Sequence, residues 1–296
     1  HRIGKEGGKV MAKICIDPGH CKKQNRSPGI PEYYESEMVW KLANMKKNYL
    51  MEMGHTVIMT RTDPNKDVAL VTRGKMSKGC DLFDSDHSNA VGSCMNEKRN
   101  EIAVYHLVED RTTECDDESK RFAEGIAPVI SKVMELPYGI HTRAAQSDRN
   151  GDGFKNDNYY GVLHGCALVK TPGVILEHGF HTHSATVRWL LEDANLDRLA
   201  RAEAEFMDKY FGKTESGVYV PTPAGQNESQ AGKAAVPFRV KVSIDDLNIR
   251  TGPGTGYAKT GKHTGKGTFT IVQVSGSWGY LKSKAGWICL NYATRI

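Results

Sequence analysis

The sequence predicts an α/β domain, a mostly parallel sheet flanked by helices, followed by a small all-β barrel or sandwich. Three observations carry that reading. Short β-branched runs alternate with stretches of helical period from residue 11 to residue 212. The stretch between Phe211 and Pro237 loses any sustained period and fills with Gly, Pro, Ser and Ala, as a linker does. Beyond it come only short strands punctuated by glycine turns. The division is therefore 11–212, a linker at 213–236, and 237–296. Residues 1–10 precede Met11, a natural start, and are placed outside the fold as a remnant.

The first strand is "KICIDPGH", in which Ile14, Cys15 and Ile16 stop at Asp17-Pro18-Gly19 and His20 follows at once. A strand that ends in such a turn delivers the next side chain to the mouth of the sheet, where open α/β folds hold ligands. From Glu35, the residues Met38, Leu42, Met45 and Tyr49 recur at helical spacing until Gly54 closes the helix. "HTVIMT" at 55–60, "DLFDSDH" at 81–87, "EIAVYHLV" at 101–108 and "GVILEHGF" at 173–180 read as strands. A second helix opens on the acids of "DDESKRFAEGIAPVISKVMEL", which complement a helix N-terminus. In the tail, "FRVKVS", "LNIRTGPGTGY", "GTFTIVQVSGSWGYLKS" and "AGWICLNYATRI" supply the β-rich segments.

Composition narrows the function classes. No apolar run approaches the roughly twenty residues a membrane span requires, and the N-terminus lacks an apolar signal core. Seven cysteines, an odd number without a C-x-x-C pair, argue against a disulfide scaffold and against a thiolate metal cluster. The net charge of +5 is unevenly placed: residues 237–296 carry +7 and the remainder −2, which suits a polyanionic surface as partner of the tail. No nucleic-acid recognition motif accompanies that charge.

Four residues stand out chemically. His20 ends the first strand, Glu35 opens the first helix, His87 ends the strand "DLFDSDH", and Glu177 follows Val174, Ile175 and Leu176 inside an apolar strand. Two histidines and a carboxylate are among the common ligand sets of a hydrolytic zinc site. Burying Glu177 in such a strand is costly without a partner or a task. Asp84 and Asp86 pose a related problem, because they face the opposite side of their strand from Phe83, Ser85 and His87 and would destabilise a buried strand unless paired with Lys or Arg or hydrogen-bonded. Cys21, next to His20, reads as a rim thiol or an adventitious ligand, and His178, His181 and His183 flank Glu177 either for hydrogen bonding or substrate contact or as a solvated edge. "DRNGDGFKND" begins like a calcium loop, with Asp148, Asn150, Asp152 and Gly153 at the proper offsets, but its twelfth position is Tyr159 rather than Glu, which favours a plain Asx/Gly turn over a calcium site.

"DPGH" at 17–20, "YYESEMVWKLA" around Glu35, "SDHSNA" at 85–90 and "LEHGF" at 176–180, in that order over about two hundred residues, resemble the zinc-dependent N-acetylmuramoyl-L-alanine amidases of type 3, found in bacterial autolysins and phage endolysins. "TRTD" at 60–63 and "VALVTRGK" at 68–75 fit the intervening segment. The resemblance implies one zinc ion held by His20, Glu35 and His87, with Glu177 as catalytic acid/base, cleaving the amide between N-acetylmuramic acid and L-alanine of peptidoglycan. The missing signal core fits a protein made in the cytoplasm and acting on the wall after release as a phage or prophage lysin, with a bacterial autolysin left open. Two other readings stay open: a zinc peptidase cutting within the stem peptide or cross-bridge, and a wall-binding protein without catalysis. The tail segments 247–257 and 277–296 resemble a bacterial SH3 domain, which implies wall-peptide binding; Tyr257, Trp278 and Tyr280 are the candidate contacts, while Trp287 is assigned to the small core.

Overall fold

In the computed structural model, residues 11–108, 115–212 and 236–296 are described, apart from 243, 246, 254–256 and 276–277 and the side chain of residue 291. Residues 1–10 and nearly all of the expected linker lie outside them. The chain separates into two units, residues 1–221 and 222–296.

The first unit runs β1 (Lys13–Pro18), α1 (Glu35–Glu52), β2 (Thr56–Met59), α2 (Leu70–Lys75), β3 (Leu82–Asn89), β4 (Ile102–His106), α3 (Asp116–Met134), β5 (Tyr138–His141), α4 (Gly161–Leu168), β6 (Gly173–Phe180), α5 (Ser184–Leu191) and α6 (Asp193–Phe211). Its six strands are ordered β2-β1-β3-β6-β4-β5. All neighbours pair in parallel except β4 with β6, so β4 and β5 run against the other four strands. The expected mostly parallel sheet is present, with that one reversal added. β5, α2, α4 and α5 are short elements that the sequence does not mark out, whereas α6, 19 residues long with Leu196, Leu199, Ala200, Ala204 and Met207 buried at helical spacing, carries a legible stripe that the sequence reading omits.

The period of two along each strand separates two apolar layers. Ile14, Ile16, Leu82, Ile102, Val104, Val174 and Leu176 face a large core completed by α1, α3, α5 and α6. Cys15, Phe83 and Ile175 face a smaller layer built with Val162, Leu163 and Cys166 of α4. In α1 the buried residues Met38, Val39, Leu42, Ala43, Met45, Tyr49 and Leu50 form a single stripe, and the helix stops where Gly54 takes φ +95°.

The second unit is all-β: β7 (Phe238–Val242), β8 (Asn248–Arg250), β9 (Lys259–His263), β10 (Gly267–Ser275), β11 (Trp278–Leu281), β12 (Trp287–Cys289) and β13 (Ala293–Arg295). Antiparallel pairing gives the order β13-β7-β10-β11-β12-β8-β9. Val240, Val242, Leu247, Ile249, Ile271, Leu281 and Ile288 fill its interior, and Trp287 is buried as expected. Tyr257 is exposed, whereas Trp278 and Tyr280 are half-buried. The Arg250 guanidinium lies 5.9 Å from the Trp278 ring centroid, and the Tyr280 and Trp287 rings are 5.2 Å apart.

Candidate metal and catalytic centre

The turn that ends β1 is held from beneath. Asp17, fully buried, accepts hydrogen bonds from Thr60 Oγ1 (2.5 Å) and Ser85 Oγ (2.8 Å) and lies 3.4 Å from Arg73 Nη1. Arg61 donates to the carbonyls of Pro18 (2.8 Å) and Gly19 (3.3 Å), and Arg73 to those of Pro18 (3.3 Å) and His20 (3.5 Å). Two buried guanidinium groups thus satisfy carbonyls of the turn, whose Gly19 N–H is taken by the Asp86 carbonyl of β3 at 3.0 Å. Glycine is required at position 19, because a Cβ there would stand 2.3 Å from His87 Cε1. His20 adopts a left-handed φ of +55° and remains about a third exposed.

Glu35, the first residue of α1, is almost fully buried at the point where His20 and His87 meet. Its Oε1 lies 3.0 Å from His87 Nδ1 and 3.4 Å from His20 Nε2. The same oxygen accepts the Ser88 N–H at 3.0 Å, and Oε2 accepts Asn25 Nδ2 at 2.7 Å. Asn25 Nδ2 is also 3.0 Å from His20 Nε2. Burial resists ionisation of Glu35, yet its hydrogen bonds and attraction to His20 and His87 hold it well below the usual carboxylate range. Burial likewise works against protonated His87, but Glu35 pushes that imidazole up to about 9. The two imidazole rings stand edge to face with centroids 5.0 Å apart.

The ligand atoms of His20, Glu35 and His87 all lie within 4.8 Å of one another. Two imidazole nitrogens and a carboxylate oxygen in one cluster, with Glu35 fixed by a backbone amide and by Asn25, form a donor set that fits zinc. Glu177 faces the same side: it pairs with His87 across β3 and β6, and its buried Oε2 has no hydrogen-bond partner. Burial, aided by the charge of Glu35, raises its carboxyl to about 7. The sequence-selected quartet therefore converges.

Several neighbours had no such signal. Asn25 lies in an irregular loop. Ser88, Tyr33 and His181 form a buried chain in which Ser88 Oγ is 2.8 Å from Tyr33 Oη and 3.0 Å from His181 Nδ1, itself 3.8 Å from Glu35 Oε2. His181 was legible only as one of three histidines after Glu177. His183 instead lies 3.6 Å from Glu97 at the entry to α5. Cys21, expected at the rim, is buried beneath the turn with its Sγ 3.8 Å from Gln24 Oε1, because Gln24 folds back under it.

Asp84 and Asp86 find their cation in Lys46 of α1. Lys46 Nζ sits 2.6 Å from Asp84 Oδ2, 2.6 Å from Asp86 Oδ1 and 2.8 Å from Glu203 Oε2 of α6, with all four side chains fully buried. His178 completes the cluster, its Nε2 2.8 Å from Glu203 Oε1 and its Nδ1 3.0 Å from the His87 carbonyl. Burial opposes charge on Lys46 and Glu203 alike, but attraction to Asp84, Asp86 and Glu203 keeps Lys46 well above its ordinary range, and Lys46 with His178 draws Glu203 down to about 2. Asp86, Glu203 and His178 also bring ligand atoms within 4.8 Å of one another. The Lys46 ammonium is the cation that lies among them. Through this cluster α1, β3, β6 and α6, which between them carry Glu35, His87 and Glu177, are tied behind the site.

The loop at 148–157 turns its oxygens inward. Asp148 accepts the N–H groups of Gly151 (2.7 Å) and Gly153 (2.9 Å), Asn150 that of Asp152 (3.0 Å), and Asp152 that of Phe154 (2.8 Å). This is the Asx/Gly turn, and the calcium reading of Asp148, Asn150 and Asp152 gains no support, since neither metal-compatible group among the described residues includes them.

Comparison with known proteins agrees with this geometry. A family model described as N-acetylmuramoyl-L-alanine amidase matches residues 14–209. Among solved structures, an N-acetylmuramoyl-L-alanine amidase from Clostridium difficile 630 is 19% identical, covering 70% of this chain and 100% of its own, with a TM-score of 0.56. The amidase AmiC2 of Nostoc punctiforme is 22% identical over 70% of this chain and 100% of its own, at a TM-score of 0.54. The catalytic domain of CwlV from Bacillus (Paenibacillus) polymyxa var. colistinus is 20% identical over 68% and 98%, at 0.52. At such identities these structures establish a shared fold. No curated protein matches the chain. With its family match spanning both site histidines, Glu35 and Glu177, the chain belongs to the N-acetylmuramoyl-L-alanine amidase family.

Proposed function

We propose that the chain is a zinc-dependent peptidoglycan hydrolase that cleaves the amide between N-acetylmuramic acid and the L-alanine of the stem peptide. The observation that carries this is the buried, unpartnered Glu177 Oε2 on the same sheet face as His87, beside a His20/Glu35/His87 donor set. Family membership supports the peptidoglycan substrate and the amidase reaction. His20, Glu35 and His87 would hold the zinc, which when bound supplies a Lewis acid that polarises the amide carbonyl and acidifies water. Glu177, with a carboxyl poised near neutrality, takes the proton of the attacking water and delivers it to the departing alanine amine. Asn25 and the Ser88 amide fix both oxygens of Glu35 and keep it from competing for that proton.

The second unit is read as a wall anchor of bacterial SH3 type. Its net positive charge suits an anionic wall, and Tyr257, Trp278 and Tyr280 offer aromatic contacts. Tethering the two units raises the effective concentration of the catalytic one at an insoluble polymer. Action on the wall after release as a lysin fits this arrangement. Mass analysis of digested peptidoglycan tests the reaction: new amino-terminal L-alanine is expected, whereas new termini within the stem or cross-bridge would identify a peptidase, and an intact wall a binding protein.

A further inference from the structure

The sheet register leads from Glu177 to a polar aromatic rim that the reaction above leaves unused. One row across the strands reads His87, Glu177, Ala103, Gly139, and the next reads Ser85, Ile175, Tyr105, His141. Tyr105 therefore stands on the face of the sheet that carries Glu177, one row away. Its ring packs against Tyr160 at 5.0 Å and His141 at 5.4 Å. Tyr160 packs in turn edge-on against Tyr159 at 5.4 Å, and the Arg143 guanidinium carbon lies 5.8 Å from the Tyr160 ring centroid. Arg143 sits over Tyr159, its guanidinium carbon 3.7 Å from the ring centroid, and both residues are exposed.

A guanidinium stacked on a ring is fixed in plane while its edge N–H groups point outward, the arrangement suited to a planar anion such as a carboxylate. The groups that hold Arg143 are tyrosines and not carboxylates, so its positive charge is left uncompensated by them. An uncharged sugar would gain little from such a cation. A peptide bearing free carboxylates would gain much.

The geometry points to Arg143 as a specificity-determining residue that receives a carboxylate of the stem peptide, oriented by Tyr159 and Tyr160. This rests on the amidase reading, and it adds which side of the scissile bond the rim recognises and by what charge. Tyr105 joins the rim to the sheet beside Glu177, so a peptide engaged there extends away from the reacting amide along β4 and β5.

The test compares two soluble muropeptides that differ only in whether the α-carboxyl of the second stem residue is free or amidated. The wild-type chain should favour the free acid about tenfold in kcat/KM, mostly through KM. Arg143→Gln should abolish that preference by bringing kcat/KM on the free acid down to that on the amidated substrate, with the thermal transition unchanged because the side chain is exposed. Calorimetric titration of the two isolated stem peptides reads the same discrimination without turnover, so failure of cleavage, which would sink the amidase reading, stays distinct from failure of the rim. A wild-type chain indifferent to the carboxyl, or an Arg143→Gln variant that keeps the preference, overturns the assignment.

Discussion

Replacing Glu177 by Gln separates what this side chain does for the reaction from what it costs the fold. Its carboxyl is raised from 4.5 to about 7, chiefly by burial. At about 1.4 kcal/mol per pH unit, that rise corresponds to about 3 kcal/mol lost from the folded state once the group is ionised. A folded value above the unfolded one means that the native chain binds the extra proton between about pH 4.5 and 7. Stability associated with Glu177 is therefore complete below pH 4.5 and disappears as pH rises through 7. Gln has the same size and no charge, so in chelator-treated protein Glu177→Gln should be more stable than wild type by about 2–3 kcal/mol at pH 8 and indistinguishable from it at pH 4. For a unit of about two hundred residues this is a gain of roughly 5–10 °C in the first calorimetric transition at the higher pH. Turnover should fall on the order of a hundredfold or more, the usual loss for a general base. Equal stability at pH 8, or a gain that persists unchanged at pH 4, would show that the buried oxygen is compensated and that the functional argument built on it is wrong.

Other consequences are as direct. Lys46→Met removes the one ammonium among Asp84, Asp86 and Glu203 and should destabilise the first unit by about 3–5 kcal/mol in urea denaturation at neutral pH; a smaller effect at pH 5, where Asp86 with its value near 7 is protonated, is the accompanying signature. One zinc per chain should bind at His20, Glu35 and His87, with chelation abolishing wall lysis and zinc restoring it; full occupancy by elemental analysis in a His20→Ala/His87→Ala variant would refute that ligand set. A fragment ending at Gly212 retains all four site residues and should hydrolyse soluble muropeptide yet sediment less with intact walls. Equal wall binding by fragment and full chain would remove the anchor reading of residues 237–296.

The sequence by itself pointed to the alternation of strands and helices, without marking out β5, α2, α4, α5 or α6, and singled out His20, Glu35, His87 and Glu177. Both are local properties: a period of two or of 3.6 reports which side of an element is buried, and a strand end marked by Asp-Pro-Gly or by Ser-Asn-Ala announces where a side chain emerges. Glu177 was legible because a carboxylate in an apolar strand contradicts its surroundings. Only the tertiary structure decided what lies behind these residues. Asp84 and Asp86 look unfavourable in one dimension, and their counter-cation Lys46 comes from α1, where it is shared with Glu203 of α6, 157 residues further along the chain. The reversal of β4 and β5 is set by pairing with β6 rather than by any feature of their own composition. Asn25, Ser88 and His181 gain meaning from the single buried carboxylate of Glu35 that they approach, and a periodic pattern cannot specify which distant polar atoms share a point in space. The physical reason is desolvation: charges taken out of water must find their counterparts wherever the fold brings them, and that pairing belongs to the packed layers rather than to the segments.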